Sequence, residues 1–311
     1  MDIRTATHND NTPIIELLRV SLGESLIPKS EKLWQWKHVD NPFGKSPVLL
    51  AEDNGQVVGI RAFLQWEFSN KGKTIKACRA VDTATHPTYQ GRGIFNQLTG
   101  RLLEEVTADG IDLIYNTPNS KSAPGYLKMG WESWGKLPLK LNFHLANSRK
   151  TVLVNSDWAQ VQKLVQTIET GDPTFSEGQT RLVKGYLNWR YRDNPLYHYQ
   201  FISDGEHYLL VYRIKEGKMG REFRICDLFT KTELSKNAIK ELGIALNQQI
   251  KISGARFSSF SGLAYSKQNV LDMGLLPILR VGPLVTLRKV SEHFSPMDQV
   301  WNWSLGDLEV F

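Results

Sequence analysis

Two glycines flanking an arginine, in Gln90-Gly91-Arg92-Gly93-Ile94-Phe95, form the part of this chain best suited to chemistry. An extended run through Cys78 and Asp82 to Thr85 enters this turn. After it, Ile94, Phe95, Leu98, Leu102, Leu103 and Val106 share one face of a helix. A strand, a turn of small residues and a helix N-terminus together aim unpaired backbone N–H groups at one point, a geometry that binds a phosphate or pyrophosphate. The spacing excludes two common phosphate sites. The turn has no Gly-x-Gly-x-x-Gly of a dinucleotide fold, and no Gly-Lys-Ser/Thr to reach a nucleotide phosphate and magnesium.

In these residues the chain resembles the GNAT superfamily of acyl-CoA-dependent N-acyltransferases, whose core motif is Gln/Arg-x-x-Gly-x-Gly/Ala. The Pro87-Thr88-Tyr89 lead-in is also usual for that family. Phe95 departs from the motif; its backbone amide is unchanged, but its side chain must turn into the core. Further on, Tyr126-Leu127-Lys128-Met129-Gly130-Trp131 is similar to the Tyr-x-x-x-Gly-Phe segment that closes the GNAT cofactor site.

The resemblance implies an α/β fold with a mixed sheet, acetyl-CoA as acyl donor, no metal, and a small-molecule amine as acceptor. Backbone amides of Gln90, Gly91, Arg92, Gly93, Ile94 and Phe95 would hold the pyrophosphate. Thr83, Ala84 and Thr85 would pair with the pantetheine arm like a further strand and offer an N–H to the thioester oxygen. Asn116 and Asn119, flanking Pro118 where the family's strands splay, would also meet the pantetheine. Asp82 matches the place where many GNAT enzymes carry a catalytic Glu and is the expected base; the alternative is an ion pair with Arg79 or another cation. Tyr126 is the expected acid for the departing sulfur, its alternative being to pack on the cofactor. His38 and His86 read as surface or capping histidines, and Trp34, Trp36 and Trp189 as core.

These residues need elements to hold them. Ile3 starts a first strand, and Thr12-Pro13 reads as the N-cap and first residue of a helix with Ile14, Ile15, Leu17, Leu18 and Val20 on its apolar face. Ser30 opens a second helix, which stops before Pro42. Two strands joined at Asp53-Asn54-Gly55 follow, and a turn near Asn70 leads into the strand carrying Asp82. The pattern is β-α-α-β-β-β-α-β-α-β.

The second half repeats the first. Trp36-Lys37-His38-Val39-Asp40-Asn41-Pro42 recurs as Trp189-Arg190-Tyr191-Arg192-Asp193-Asn194-Pro195, and Arg79-Ala80-Val81-Asp82 as Arg224-Ile225-Cys226-Asp227. Asp53-Asn54-Gly55 recurs as Ser203-Asp204-Gly205, Met129-Gly130-Trp131 as Met273-Gly274-Leu275, and Gly135-Lys136-Leu137 as Gly282-Pro283-Leu284, all in the same order. The glycine turn does not recur, and Val270 stands where Tyr126 would. The chain therefore reads as two tandem GNAT folds, 1–146 with the acetyl-CoA site and 147–311 degenerate, with a polar linker at 147–156. Mycothiol synthase and Fem-type aminoacyl transferases share such a two-copy build.

At 311 residues the length suits two domains. The net charge of +6 is not concentrated in any run, which speaks against nucleic acid as a partner. Cys78 and Cys226 form no metal pattern and read as buried thiols. Neither a signal peptide nor a membrane span is legible, so a soluble cytoplasmic protein is expected. Two other functions fit the same features less well. A Fem-like transferase would not need the glycine turn, and a non-catalytic acyl-CoA sensor would not need Asp82 and Tyr126.

Overall fold

The computed structural model describes residues 1–24, 27–120, 122–144, 156–171, 177–262 and 279–308. Most of the expected linker, Val270 and Met273-Gly274-Leu275 lie outside them. The described residues form a mixed α/β fold with two mixed sheets. The chain divides into two compact units, Met1–Gly135 with Leu284–Gln299, and Lys136–Pro283 with Val300–Val310.

The first unit runs β1 (Asp2–Thr5), α1 (Asn11–Leu22), α2 (Glu31–His38), β2 (Val48–Asp53), β3 (Gln56–Asn70), β4 (Lys73–Thr85), α3 (Ile94–Ala108), β5 (Leu113–Asn116), α4 (Ala123–Lys128) and β6 (Glu132–Lys136). This is the element order expected from the pattern. Ser30 caps α2, its Oγ accepting from the Leu33 N–H at 3.2 Å. The start of α1 differs from expectation. Arg4 and Thr7 bind the Asp10 carboxylate, Asp10 closes a short 3-10 turn, and the helix begins at Asn11, with Thr12 already inside it. Val20, expected on the apolar face, is exposed.

Alternation along β2 divides the core between the two sheet faces. Val48 and Leu50 pack with Ile14, Leu18 and Trp34, while Leu49 and Ala51 pack with Ile94, Leu98 and Leu102. Gly59 lets α3 approach the sheet closely; a Cβ there would lie 2.6 Å from the Ile94 Cγ2.

The second unit contains β7 (Leu139–Phe143), α5 (Gln162–Thr170), β8 (Gln179–Thr180), β9 (Gln200–Ser203), β10 (Tyr208–Gly217), β11 (Gly220–Thr230), α6 (Lys236–Ser253) and β12 (Phe257–Ser261), with sheet order β7-β12-β11-β10-β9. Its core sets Leu242, Leu246 and Ile250 of α6 against Tyr212, Phe223, Ile225 and Phe260. Ser235 caps α6, accepting from the Ala238 N–H at 3.2 Å. The matching helix of the first unit, α3, instead starts at left-handed Gly93 with no side-chain cap.

The last strand, β13 (Leu284–Lys289), belongs to the first unit. It pairs antiparallel with β5, giving the order β1-β2-β3-β4-β5-β13-β6. β7, from the first half of the chain, joins the second sheet through β12. The halves thus trade strands, and no single cut near residue 146 separates the two sheets. Trp34, Trp36 and Trp189 are core residues, and Cys78 and Cys226 are buried free thiols.

Candidate active site

β3 and β4 pair along almost their whole length, except where Ile60 faces Ala84 but Ala62 faces Val81. Asp82 and Thr83 therefore oppose Arg61 alone, a β-bulge, and Asp82 takes the left-handed φ of 40° that the extra residue requires. β4 and β5 run parallel only from Ala77↔Leu113 to Arg79↔Tyr115 and then separate. The edge of β4 beyond the bulge is left without a β5 partner. Backbone N–H and C=O groups there can take up an extended ligand strand.

That edge opens onto a cleft of about 380 Å³ lined by Thr83, Ala84, Thr85, Gln90, Gly91, Gly93, Ile94 and Phe95, together with Ser21, Leu22, Tyr89 and Asn96. Gly91 and Gly93 both have φ 78°, a region that side-chain-bearing residues rarely adopt. The structure thus brings eight of the expected cofactor residues into one cleft. Three expected contacts lie elsewhere. Arg92 stacks over Tyr89 at 4.6 Å and donates to the Thr88 carbonyl. Asn116 is buried and accepts a hydrogen bond from Thr286 of β13, and Asn119 closes the turn to Ser122. Ser21, at the end of α1, donates to the Thr85 carbonyl at 3.2 Å. Nothing local in the sequence marks it, because only tertiary packing brings the end of α1 to β4.

Tyr126 is buried and does not line the cleft. Its ring meets Phe95, which does, edge-on at 5.9 Å, and Trp131 at 5.1 Å. Its hydroxyl accepts a hydrogen bond from the Arg61 Nη1 at 2.8 Å. The same nitrogen donates to the Thr83 hydroxyl, so Tyr126 is tied through one atom to a cleft-lining residue. Phe95 is half-buried, its side chain serving both cleft and core.

Asp82 lies in a different setting from that expected of a base. Its carboxylate accepts from the Lys37 Nζ and the His38 Nε2, both at 2.8 Å, and Arg79 instead donates to Thr117. Burial pushes the Asp82 carboxyl up, but the Lys37 charge and the His38 hydrogen bond outweigh it and hold the group well below the usual carboxylate range. A carboxylate held this way is a weak proton acceptor, and the ion-pair alternative describes it. His38 is not the surface residue expected. It is buried, burial holds it below the usual imidazole range, and its Nδ1 lies 2.9 Å from the Ser46 Oγ. A neutral ring donating from Nε2 to Asp82 accepts from Ser46 at Nδ1. His86 caps the turn at Pro87, accepting from the Thr88 N–H.

The same junction recurs in the second unit. Tyr191, at the position of His38, donates its hydroxyl to Asp227 at 2.8 Å, while Arg190, at the position of Lys37, donates to the Gly306 carbonyl. Burial, with the nearby Asp307 carboxyl, pushes Asp227 up. An acid at this strand position that bonds the preceding helical segment is thus present in a unit whose α6 start lacks the glycine turn.

Asp82→Asn is therefore expected to act on stability. It leaves the Lys37 ammonium buried without its counter-charge, at a cost of about 3 kcal/mol by denaturant unfolding. Because the folded carboxyl is held low, its contribution is complete above the ordinary carboxylate range near pH 4, roughly, and is lost as pH falls through its own lower value. The Asn variant should lack that acid-dependent loss.

Residues 2–134 match the family model described as an acetyltransferase (GNAT) domain. Over these residues, which are less than half of the chain, the sequence is similar to GNAT N-acetyltransferases. No curated protein matches the sequence. Among solved structures the fold is similar to a probable N-acyltransferase from Enterococcus faecalis, with TM-score 0.67, 13% identity, and 93% of this chain and 72% of that chain covered. It is similar to a GCN5-related N-acetyltransferase from Anabaena variabilis, with TM-score 0.65, 13% identity, and 93% and 73% covered. It is also similar to the N-myristoyltransferase of Saccharomyces cerevisiae with bound myristoyl-CoA, with TM-score 0.53, 8% identity, and 92% and 81% covered. At these identities the likeness is one of fold.

Proposed function

We propose that this protein moves an acetyl group from acetyl-CoA to the amine of a small molecule, such as an amino sugar or amino acid derivative. The observation that carries this reading is the meeting of the free β4 edge with the Gly91 and Gly93 turn at an uncapped helix start, all in one cleft. Amides at the start of α3 suit a pyrophosphate, because the helix dipole favours negative charge there and no side chain of the cap competes. Thr83, Ala84 and Thr85 suit the pantetheine arm. A backbone N–H at the bulge suits the oxygen that becomes negative as the amine attacks the thioester.

In this reading Tyr126, set back from the cleft surface against Phe95, supplies the proton to the departing sulfur through an intervening water. Asp82 holds Lys37 and His38 in place, and water takes the proton that the acceptor loses. The second unit takes no part in binding the donor.

Two measurements test the proposal. Release of free thiol from acetyl-CoA across a panel of small amines should find at least one acceptor. Calorimetry with acetyl-CoA on the whole chain should find one site per chain; two independent sites of similar affinity would overturn the assignment of the donor to the first unit alone.

A further inference from the structure

Arg61 is the one element of this region that the chemistry above leaves without a task. Its side chain is fully buried at the bulge of β3 against β4. Nη1 serves the Tyr126 hydroxyl and Thr83, while Nε and Nη2 have no partner among the described residues, and no carboxylate among them pairs with Arg61. Three rings close around the guanidinium carbon: Phe63 at 4.8 Å, Tyr126 at 5.2 Å and Phe95 at 5.3 Å. A guanidinium cannot shed its charge, and rings compensate only part of its lost hydration. A buried cation without an anion is costly.

We propose that Arg61 is a positioning residue for the transfer step, and that the anion it lacks is the Tyr126 phenolate formed during turnover. Arginine has donors only, so in the Arg61–Tyr126 hydrogen bond the phenol oxygen is the acceptor. The phenol's own proton is therefore turned away from Arg61 and is free for another acceptor. In the reaction the acceptor nitrogen forms its bond to the thioester carbon, the carbon–sulfur bond breaks, and sulfur keeps the electron pair. Tyr126 passes its proton through the intervening water to the sulfur, and the resulting phenolate stays against Arg61. A proton from solvent, balancing the one the amine lost, then restores Tyr126. This inference rests on the role given to Tyr126 above.

A double-mutant cycle tests it, read by thiol release from acetyl-CoA with the best amine of the panel. Arg61→Met should fold, melt no lower than the parent because it removes an uncompensated charge, and bind acetyl-CoA within about threefold. Its kcat should fall about 10²-fold, as for loss of a donor to developing charge. In a Tyr126→Phe background the same substitution should change kcat by less than about threefold, because there is no phenolate left to stabilise. Arg61→Lys, which keeps the charge, should fall between parent and Met. An equal Arg61 penalty in both backgrounds overturns the inference while leaving Tyr126 as the acid. A Tyr126→Phe variant of near-parental kcat instead overturns the role of Tyr126 itself, and the inference with it. Should Arg61→Met not fold, the cycle is run with Arg61→Lys under the same criterion. Absence of thiol release from the parent with every amine overturns both.

Discussion

Tyr126→Phe should lower turnover by about 10²–10⁴ while barely changing acetyl-CoA affinity, the pattern expected when a general acid alone is lost. The phenyl ring keeps its edge-on contacts with Phe95 and Trp131, so the wall behind the cleft is preserved. Only the hydroxyl, and with it the Arg61 hydrogen bond, disappears. Coenzyme A thiolate is a fairly good leaving group, which places the expected loss at the low end of that range. A packing tyrosine would give a different result, since Phe preserves its contacts. With an amine that the parent turns over, a loss of under about threefold would assign Tyr126 to packing. Water would then be the remaining source of the proton.

Gly93→Val should abolish acetyl-CoA binding without unfolding the protein. Gly93 sits at φ 78° at the start of α3, where a β-branched residue is strained by about 1–3 kcal/mol. The turn can relieve that strain only by moving the amides that face the cleft. The rest of the fold has room for the change, because a Cβ at this position would meet nothing nearer than the Gln97 Nε2 at 3.8 Å. Calorimetry and a thermal melt on the same variant separate the two effects. Normal affinity would remove the phosphate cradle from the account of this cleft, whereas a collapsed melt with no binding would show that the turn is structural first.

Much of the first unit could be read from local pattern. The apolar spacing that places Ile94, Leu98, Leu102 and Val106 on one face of α3 is a property of neighbours three and four apart, and the buried face of the folded helix carries the same residues. The Ser30 cap, the hairpin turn at Asn54 and Gly55 and the positive φ of Gly91 and Gly93 are equally local. The start of α1 is not local in this way, because Asp10 is fixed by Arg4, which lies outside the helix.

The rest depended on contacts between residues far apart in the chain. Asp82 had two roles open until the β4 bulge set it against Lys37 and His38 on α2, which makes it an ion-pair partner. Arg61 carries no local signal in the sequence; its link to Tyr126 of α4 exists because the bulge places it opposite Thr83. Repeats in the sequence suggested two successive folds, yet β13 lies between β5 and β6 while β7 lies beside β12. Strand alternation states which face of a strand is apolar, not which sheet receives it. That choice follows from the free energy of whole edges pairing, which no single strand's pattern contains.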